Sequence, residues 1–293
     1  MASRHRRPAT PRRKLDKVPE RWERVHKQGL KRLVHTEAVS TVKMRTEVRR
    51  VHSQLVSMLD GTKAEGLRAL KQAREHMART VAEQINKTRV RARDAALDQT
   101  QAELRQLTRD VRAAGKRVPD LAHKLGSAGE TKASATAADL ANADAIGNAF
   151  ASRWAQSVLH HIVNASDEDE TDVAWNARMV AAQMDHQIKR IAATETSKAY
   201  NDEHDSAIND ALGDVTGDDE DDTGLAVEST EEADVWDGRG VFKMWNAYLD
   251  RATCVECRSH DGEIVAPSEP FSNRDVPGHM HPNCRCEQTL VYL

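Results

Sequence analysis

Aromatic residues make up only 4% of this 293-residue chain, with three Phe and three Tyr among them. That scarcity argues against one compact globule or an extended sheet, which need large rings and β-branched side chains as filling. No apolar run approaches the roughly 18 residues that cross a bilayer, so no membrane span is expected. The basic start, Met1-Ala2-Ser3-Arg4-His5-Arg6-Arg7, is followed by no apolar segment. A secretory signal is therefore not expected, and a cytosolic or particle-internal protein is. Cysteine is also rare, with four residues confined to the last 40 positions. Walker loops, His-Glu-x-x-His and Gly-x-Ser-x-Gly are all missing, which removes the common motif-borne catalytic classes.

What the chain has in quantity is charge and alanine. Charged residues reach 30% against 39% apolar, and the mean hydropathy is -0.69. Such stretches suit long, partly exposed helices. The formal net charge of -3 conceals a strong asymmetry: residues 1–50 hold 16 Lys/Arg against 5 Asp/Glu, whereas residues 201–250 hold 2 against 16. The basic end, with Arg4, Arg6, Arg7, Arg12, Arg13 and Lys14 around Pro8 and Pro11, reads as a disordered arm over 1–19. It is suited to polyanions or acidic protein surfaces, although no aromatics are interleaved there to stack bases. The acidic run over 202–234, with Gly213, Gly217 and Gly224, reads as a solvated loop. It lacks the spacing of a Ca²⁺-binding EF-hand loop.

Helical periodicity organises the rest. Over 20–130 few residues break a helix. Val39, Val42, Val48, Val51, Leu55 and Leu59 form one stripe. Gly61 interrupts, and Thr62-Lys63-Ala64-Glu65 has the form of a capping box. Leu67, Leu70, Met77, Val81, Ile85, Thr88, Ala92 and Ala95 continue the period, so a long helix or helical hairpin that needs a partner surface is expected. Residues from about 131 to 163 are again helical in pattern, with Phe150, Trp154 and Leu159 as core anchors. A further helix carries Val173, Ala177, Val180, Ala181, Met184, Ile188 and Ile191 on one face, and Glu195 and Ala199 fall on its extension. A carboxylate on an apolar stripe is rarely buried unless paired, so either the helix end is exposed at Glu195, or Glu195 pairs with an arginine, for which Arg285 and Arg251 are the candidates, or it has a catalytic role.

The C-terminal segment 250–293 concentrates the chemistry. Cys254-x2-Cys257 is one ligand-type pair, His281-x2-Cys284 is a second with the same separation, and Cys286 lies beside it. Two such pairs across a loop can surround Zn²⁺ tetrahedrally, and four protein ligands make the site structural. Disulfides between the Cys254/Cys257 and Cys284/Cys286 pairs, or reduced buried thiols, are the alternatives. A zinc deaminase is excluded because its His-x-Glu precedes its Cys-x-x-Cys, whereas here the order is reversed. The fold class is mainly α, with long N-terminal helices and a small irregular or β module clamped by Cys and His.

His281-Pro282-Asn283-Cys284-Arg285-Cys286 near the end resembles the signature of the phage minor head protein family, the Mu protein F-like or head-morphogenesis domain. Arg190 to Asn201 is similar to that family's Arg-Thr-Glu helix, with Ala193 where the family commonly has arginine. Trp245 to Asp250, then Thr253-Cys254-x2-Cys257 and Asp261-Gly262, follow in the family's order. The resemblance extends over about 145–293 and places the minor head domain in 131–293, after a helical interaction region over 20–130. It implies a virion structural protein without catalytic turnover, acting at the head and portal vertex after assembly in the host cytoplasm. Its implied partners are the portal protein and the major capsid or scaffolding protein, with packaged DNA met through the basic arm. Glu195, Trp245, Asp250 and Arg285 are then residues that hold the module together. The alternative is a zinc-containing DNA-binding protein that grips DNA with its arm.

Overall fold

A computed structural model describes residues 13–14, 19–59, 63–115, 121–122, 136–164, 170–213, 240–247, 253–267, 269–273 and 275–293. The chain is mostly helical, with a small C-terminal sheet. The elements are β1 (Arg13–Lys14), α1 (Glu20–Val56), α2 (Lys63–Ala113), α3 (Ala137–Asn164), α4 (Glu170–Gly213), β2 (Val241–Asn246), α5 (Val255–His260), β3 (Glu263–Val265) and β4 (Glu287–Tyr292). The expected break near Gly61 falls between α1 and α2, although Thr62 itself lies outside the described residues. A capping box does stand at the start of α3. The Asp139 N–H donates to Thr136 Oγ1 at 3.1 Å, and the Thr136 N–H donates to Asp139 Oδ2 at 3.0 Å.

Two compact units divide the chain, one over 34–92 and 133–196, the other over 1–33, 93–132 and 197–293. Three of their limits fall inside α1, α2 and α4, and the fourth lies at 132/133. The first unit is helical. Met44, Val48, Val51 and Leu55 of α1 meet Leu70, Met77, Val81 and Ile85 of α2 in its core. Phe150, Trp154 and Val158 of α3 and Val180, Met184 and Ile188 of α4 complete it. Full burial of each such side chain is worth about 1.5–3 kcal/mol. The Trp154 indole N–H donates to His52 Nδ1 at 3.1 Å, which satisfies the one polar atom of the ring. Leu159, Val42 and Leu67 are exposed, contrary to the sequence pattern, because Val158, Met44 and Leu70 take the inward positions beside them.

In the same unit Glu195 meets its cation. Arg89 donates to Glu195 Oε2 from Nε at 2.9 Å and from Nη2 at 2.5 Å, and its remaining donors reach the Asp139 carbonyl and Asn142 Oδ1. The physical requirement was right, but Arg89 fills it where the sequence pointed to Arg285 or Arg251. The reason is that α2 and α4 pack together over 106 positions of sequence, a proximity no local pattern records.

The second unit contains a sheet in the order β1-β3-β2-β4, with all pairings antiparallel. Arg13 lies opposite Ile264 and Lys14 opposite Glu263, so the arm expected to be disordered over 1–19 has a paired backbone at these two positions. α4 runs on to Gly213, so the first twelve positions of the expected acidic loop, 202–213, are helical; residues 214–234 lie outside the described residues. Ala207, Ile208, Ala211 and Leu212 explain the extension, because they bury an apolar face against Trp22, Leu104, Leu107, Leu290 and Tyr292.

β4 is an edge strand, yet all six of its residues are buried. Side chains take the place of a neighbouring strand. Glu103 Oε2 of α2 accepts the Leu290 N–H at 3.0 Å, and Asn201 Oδ1 of α4 accepts the Gln288 N–H at 3.2 Å. Asn201 Nδ2 returns a hydrogen bond to the Cys286 carbonyl at 2.9 Å. Glu103 is held in turn by Gln99 Nε2 at 2.7 Å and His204 Nε2 at 3.1 Å. An unpaired edge is both a desolvation cost and an aggregation template, and this clasp removes both.

Candidate metal centre in the C-terminal module

Two short hairpin-like segments bring the thiols and an imidazole together. Cys254 is the N-cap of α5, and its Sγ accepts the Cys257 backbone N–H at 3.2 Å. That hydrogen bond fixes the first pair on one turn of chain. The second pair is set by His281-Pro282-Asn283-Cys284. Here the Cys284 N–H donates to the His281 carbonyl at 3.1 Å and Asn283 has φ 66°. Pro at the second position and Asn with positive φ at the third are what a type II turn requires. Upstream, Gly278 at φ 88° passes so close to α4 that a Cβ would lie 2.8 Å from Ser197 Oγ and Asn201 Nδ2. His279 Nε2 lies 2.8 Å from Asp202 Oδ1, fastening the same loop.

Cys254 Sγ and Cys257 Sγ lie 3.1 and 3.2 Å from His281 Nε2, and Cys257 Sγ lies 3.7 Å from Cys284 Sγ. Among the described residues two groups emerge, Cys254/Cys257/His281 and Cys257/Cys284/Cys286, each with its donor atoms within 4.8 Å of one another. Cys257 belongs to both. All four cysteines are free thiols, so the disulfide alternative is not what the structure contains. Cys257, Cys284 and Cys286 are buried, and Cys254 and His281 half-buried. His281 Nδ1 donates to the Pro282 carbonyl at 2.9 Å, so Nε2 is left as the lone-pair nitrogen and faces the sulfurs. That carbonyl also raises the His281 pKa above its ordinary value.

The thiols titrate unequally. The Cys286 thiol donates to Cys284 and is the main reason the Cys284 pKa is pushed down to about 5. Cys286, as the donor in that pair and buried besides, is pushed up. Burial raises Cys254, but the hydrogen bonds with Cys257, its backbone N–H first, and the contact with His281 outweigh it and leave the thiol below its ordinary value. Burial, followed by the hydrogen bond with Cys254, raises Cys257. A tetrahedral zinc with Zn–S of about 2.3 Å and Zn–N of about 2.0 Å has ligand–ligand edges of about 3.5–3.8 Å. The Cys257–Cys284 separation is of that size, and each trio offers soft sulfur or imidazole donors within 4.8 Å, so the cluster could hold a metal ion.

Residues 223–289 match the family described as Phage Mu protein F like protein. The matched segment, less than half of the chain, carries Trp245 and every Cys and His of the cluster. It is narrower than the 145–293 over which motifs resemble the family, and it leaves Arg190–Asn201 outside. No curated protein and no solved structure matches the chain.

The remaining site residues are distributed as follows. Trp245, fully buried, packs edge-on to Phe271 at 5.1 Å between ring centres and tilted on His260 at 5.0 Å, in one cluster with Cys257, Cys284 and Cys286. Arg285 is half-buried between two of the thiol positions. Glu195 belongs to the other compact unit. Asp250, Arg251, Arg4, Arg6, Arg7 and Arg12 lie outside the described residues, and Arg13 and Lys14 form β1. Sequence reasoning missed a buried pair that supports the cluster: His260 Nδ1 and Glu263 Oε2 are 2.6 Å apart, and Ser272 donates to Glu263 from its N–H at 2.6 Å and its hydroxyl at 3.1 Å. Burial pushes the Glu263 carboxyl up, but the hydrogen bonds from His260 and Ser272 prevail and hold it below its ordinary value. His260 stands three residues after Cys257, and that spacing was the available signal. Among the described residues no helix is long and apolar enough to cross a membrane.

Proposed function

We propose that this chain is a minor head component of a tailed phage or prophage, located at the head and portal vertex, whose C-terminal module is locked by a structural zinc ion. The observation that carries the reading is the coincidence of the Mu F-like match with the Cys/His cluster. Cys254, Cys257, His281 and Cys284 supply the four ligands. Cys286 serves as the hydrogen-bond donor that keeps the Cys284 sulfur anionic, since it is the thiol already directed at Cys284. Held by these four residues, zinc would crosslink α5 to the loop before β4 and would leave no open position for catalysis. The role is therefore assembly without turnover. The portal protein and the major capsid or scaffolding protein are its partners, and DNA packaging, retention or delivery is the process it assists.

The test is mass spectrometry of purified phage particles, with quantification relative to the portal protein. The reading expects the chain in mature heads at a copy number comparable to or below that of the portal. Its absence from heads and procapsids alike would contradict it. The DNA-binding alternative is separated by measuring the affinity of the whole chain for duplex DNA against salt. A steep loss of affinity with rising salt, together with no binding to portal oligomers, would favour that alternative.

A further inference from the structure

An open groove of about 240 Å³ runs in the sheet-bearing unit between α4 and the loop that follows β3. At its base the Lys243 ammonium lies 5.6 Å from the centre of the Phe271 ring and 3.4 Å from Asp205 Oδ1. Pro267 and Pro270 add apolar wall, and Glu269 and Asp275 stand exposed on the rim. Among the described residues no cation pairs with either rim carboxylate. Three carboxylates therefore face one buried lysine, and the groove is a surface of net negative charge with a proline and aromatic lining.

The register of β1 indicates where an occupant comes from. Arg13 is opposite Ile264 and Lys14 opposite Glu263, antiparallel. Continued past Ile264, that register runs along Val265 and Ala266 towards Pro267, the edge of the groove. The stretch before Arg13 holds Arg4, Arg6, Arg7 and Arg12 and no acidic residue. Nine residues, 4 to 12, span up to about 30 Å when extended, ample for a groove that begins three positions beyond the β1 pairing. We propose that this groove is the docking site of the chain's own N-terminal basic segment, residues 4–12. The arginines meet Glu269 and Asp275, and the Pro8–Pro11 stretch lies along Pro267 and Phe271. The contact is electrostatic and exposed, so a stronger polyanion competes with it. The arm is consequently stowed on its own module until such a surface is offered.

The test uses the full chain with a benzophenone amino acid in place of Ala9. On irradiation at submicromolar concentration the expected product is a monomer with a crosslink between the arm and residues 266–276. Glu269→Lys with Asp275→Lys lowers that yield about fivefold, the effect of losing two exposed ion pairs. Arg6→Glu with Arg7→Glu on the arm lowers it equally, and combining the two pairs restores it. Unchanged helicity and melting show that neither pair acts through folding. Crosslinks to another surface, dimeric products, or a yield indifferent to both charge reversals would overturn the proposal.

Discussion

Glu103 stands at the centre of the strongest prediction about the fold. Its carboxylate accepts three hydrogen bonds, from the Leu290 backbone, His204 Nε2 and Gln99 Nε2, and both Glu103 and His204 are fully buried. Glu103→Ala leaves three donors without an acceptor. Each orphaned buried group costs about 1–3 kcal/mol. Some relaxation is available to the Gln99 side chain, so the expected loss is about 3–5 kcal/mol, the range seen when a buried polar network is broken. That is a large fraction of the roughly 5–15 kcal/mol that holds a domain folded. Glu103→Gln keeps one oxygen but turns an NH₂ towards a donor, and costs about 1–3 kcal/mol. The assay is urea denaturation combined with amide hydrogen exchange at Leu290, whose protection should fall more than that of residues within α2. An alanine variant that loses less than about 1 kcal/mol, with Leu290 exchange unchanged, would refute the idea that side chains seal the edge of β4.

Three further outcomes follow from the same geometry. Arg89→Met strands the Glu195 carboxylate and should cost about 3–5 kcal/mol in denaturant titration, whereas adding Glu195→Gln to it should recover part of that loss. Asn283→Val puts a β-branched residue at φ 66° and should destabilise the module by about 1–2 kcal/mol, while Asn283→Gly should be tolerated, both checked by melting. Glu287 is wholly buried, and burial first and the neighbouring Glu103 charge second push its carboxyl well above the ordinary 4.5. Folding therefore takes up a proton there, and the penalty grows as pH rises above 4.5. Glu287→Gln should raise the melting temperature at pH 8 by roughly 2–4 °C, the response to about 1 kcal/mol in a chain of this size, and change nothing at pH 4.

The long helices and the metal-type cluster were legible in the sequence because both are written locally. The α1 stripe from Val48 to Leu55 follows the helical period, and His281-Pro282-Asn283-Cys284 specifies its own turn. The polar core was not legible. On α2, Gln84, Arg89, Gln99, Thr100 and Glu103 are all buried, although in sequence they resemble the solvated side of a narrow amphipathic helix. Their partners lie far along the chain, with Glu103 187 positions from Leu290 and Arg89 106 from Glu195. Nothing in a helical period distinguishes a glutamate facing water from one that seals a strand edge. The same limit misplaced the start of the acidic loop, since Asp202, Glu203 and Asp205 belong to a helix that buries Ala207, Ile208, Ala211 and Leu212.

The most direct measurement of the central claim is the metal content of the purified full-length chain by inductively coupled plasma mass spectrometry, with Cys257→Ser in parallel. About one zinc per chain is expected, lost in the variant together with the thermal transition of the C-terminal module. A metal-free chain with reduced thiols and an unchanged transition would contradict it.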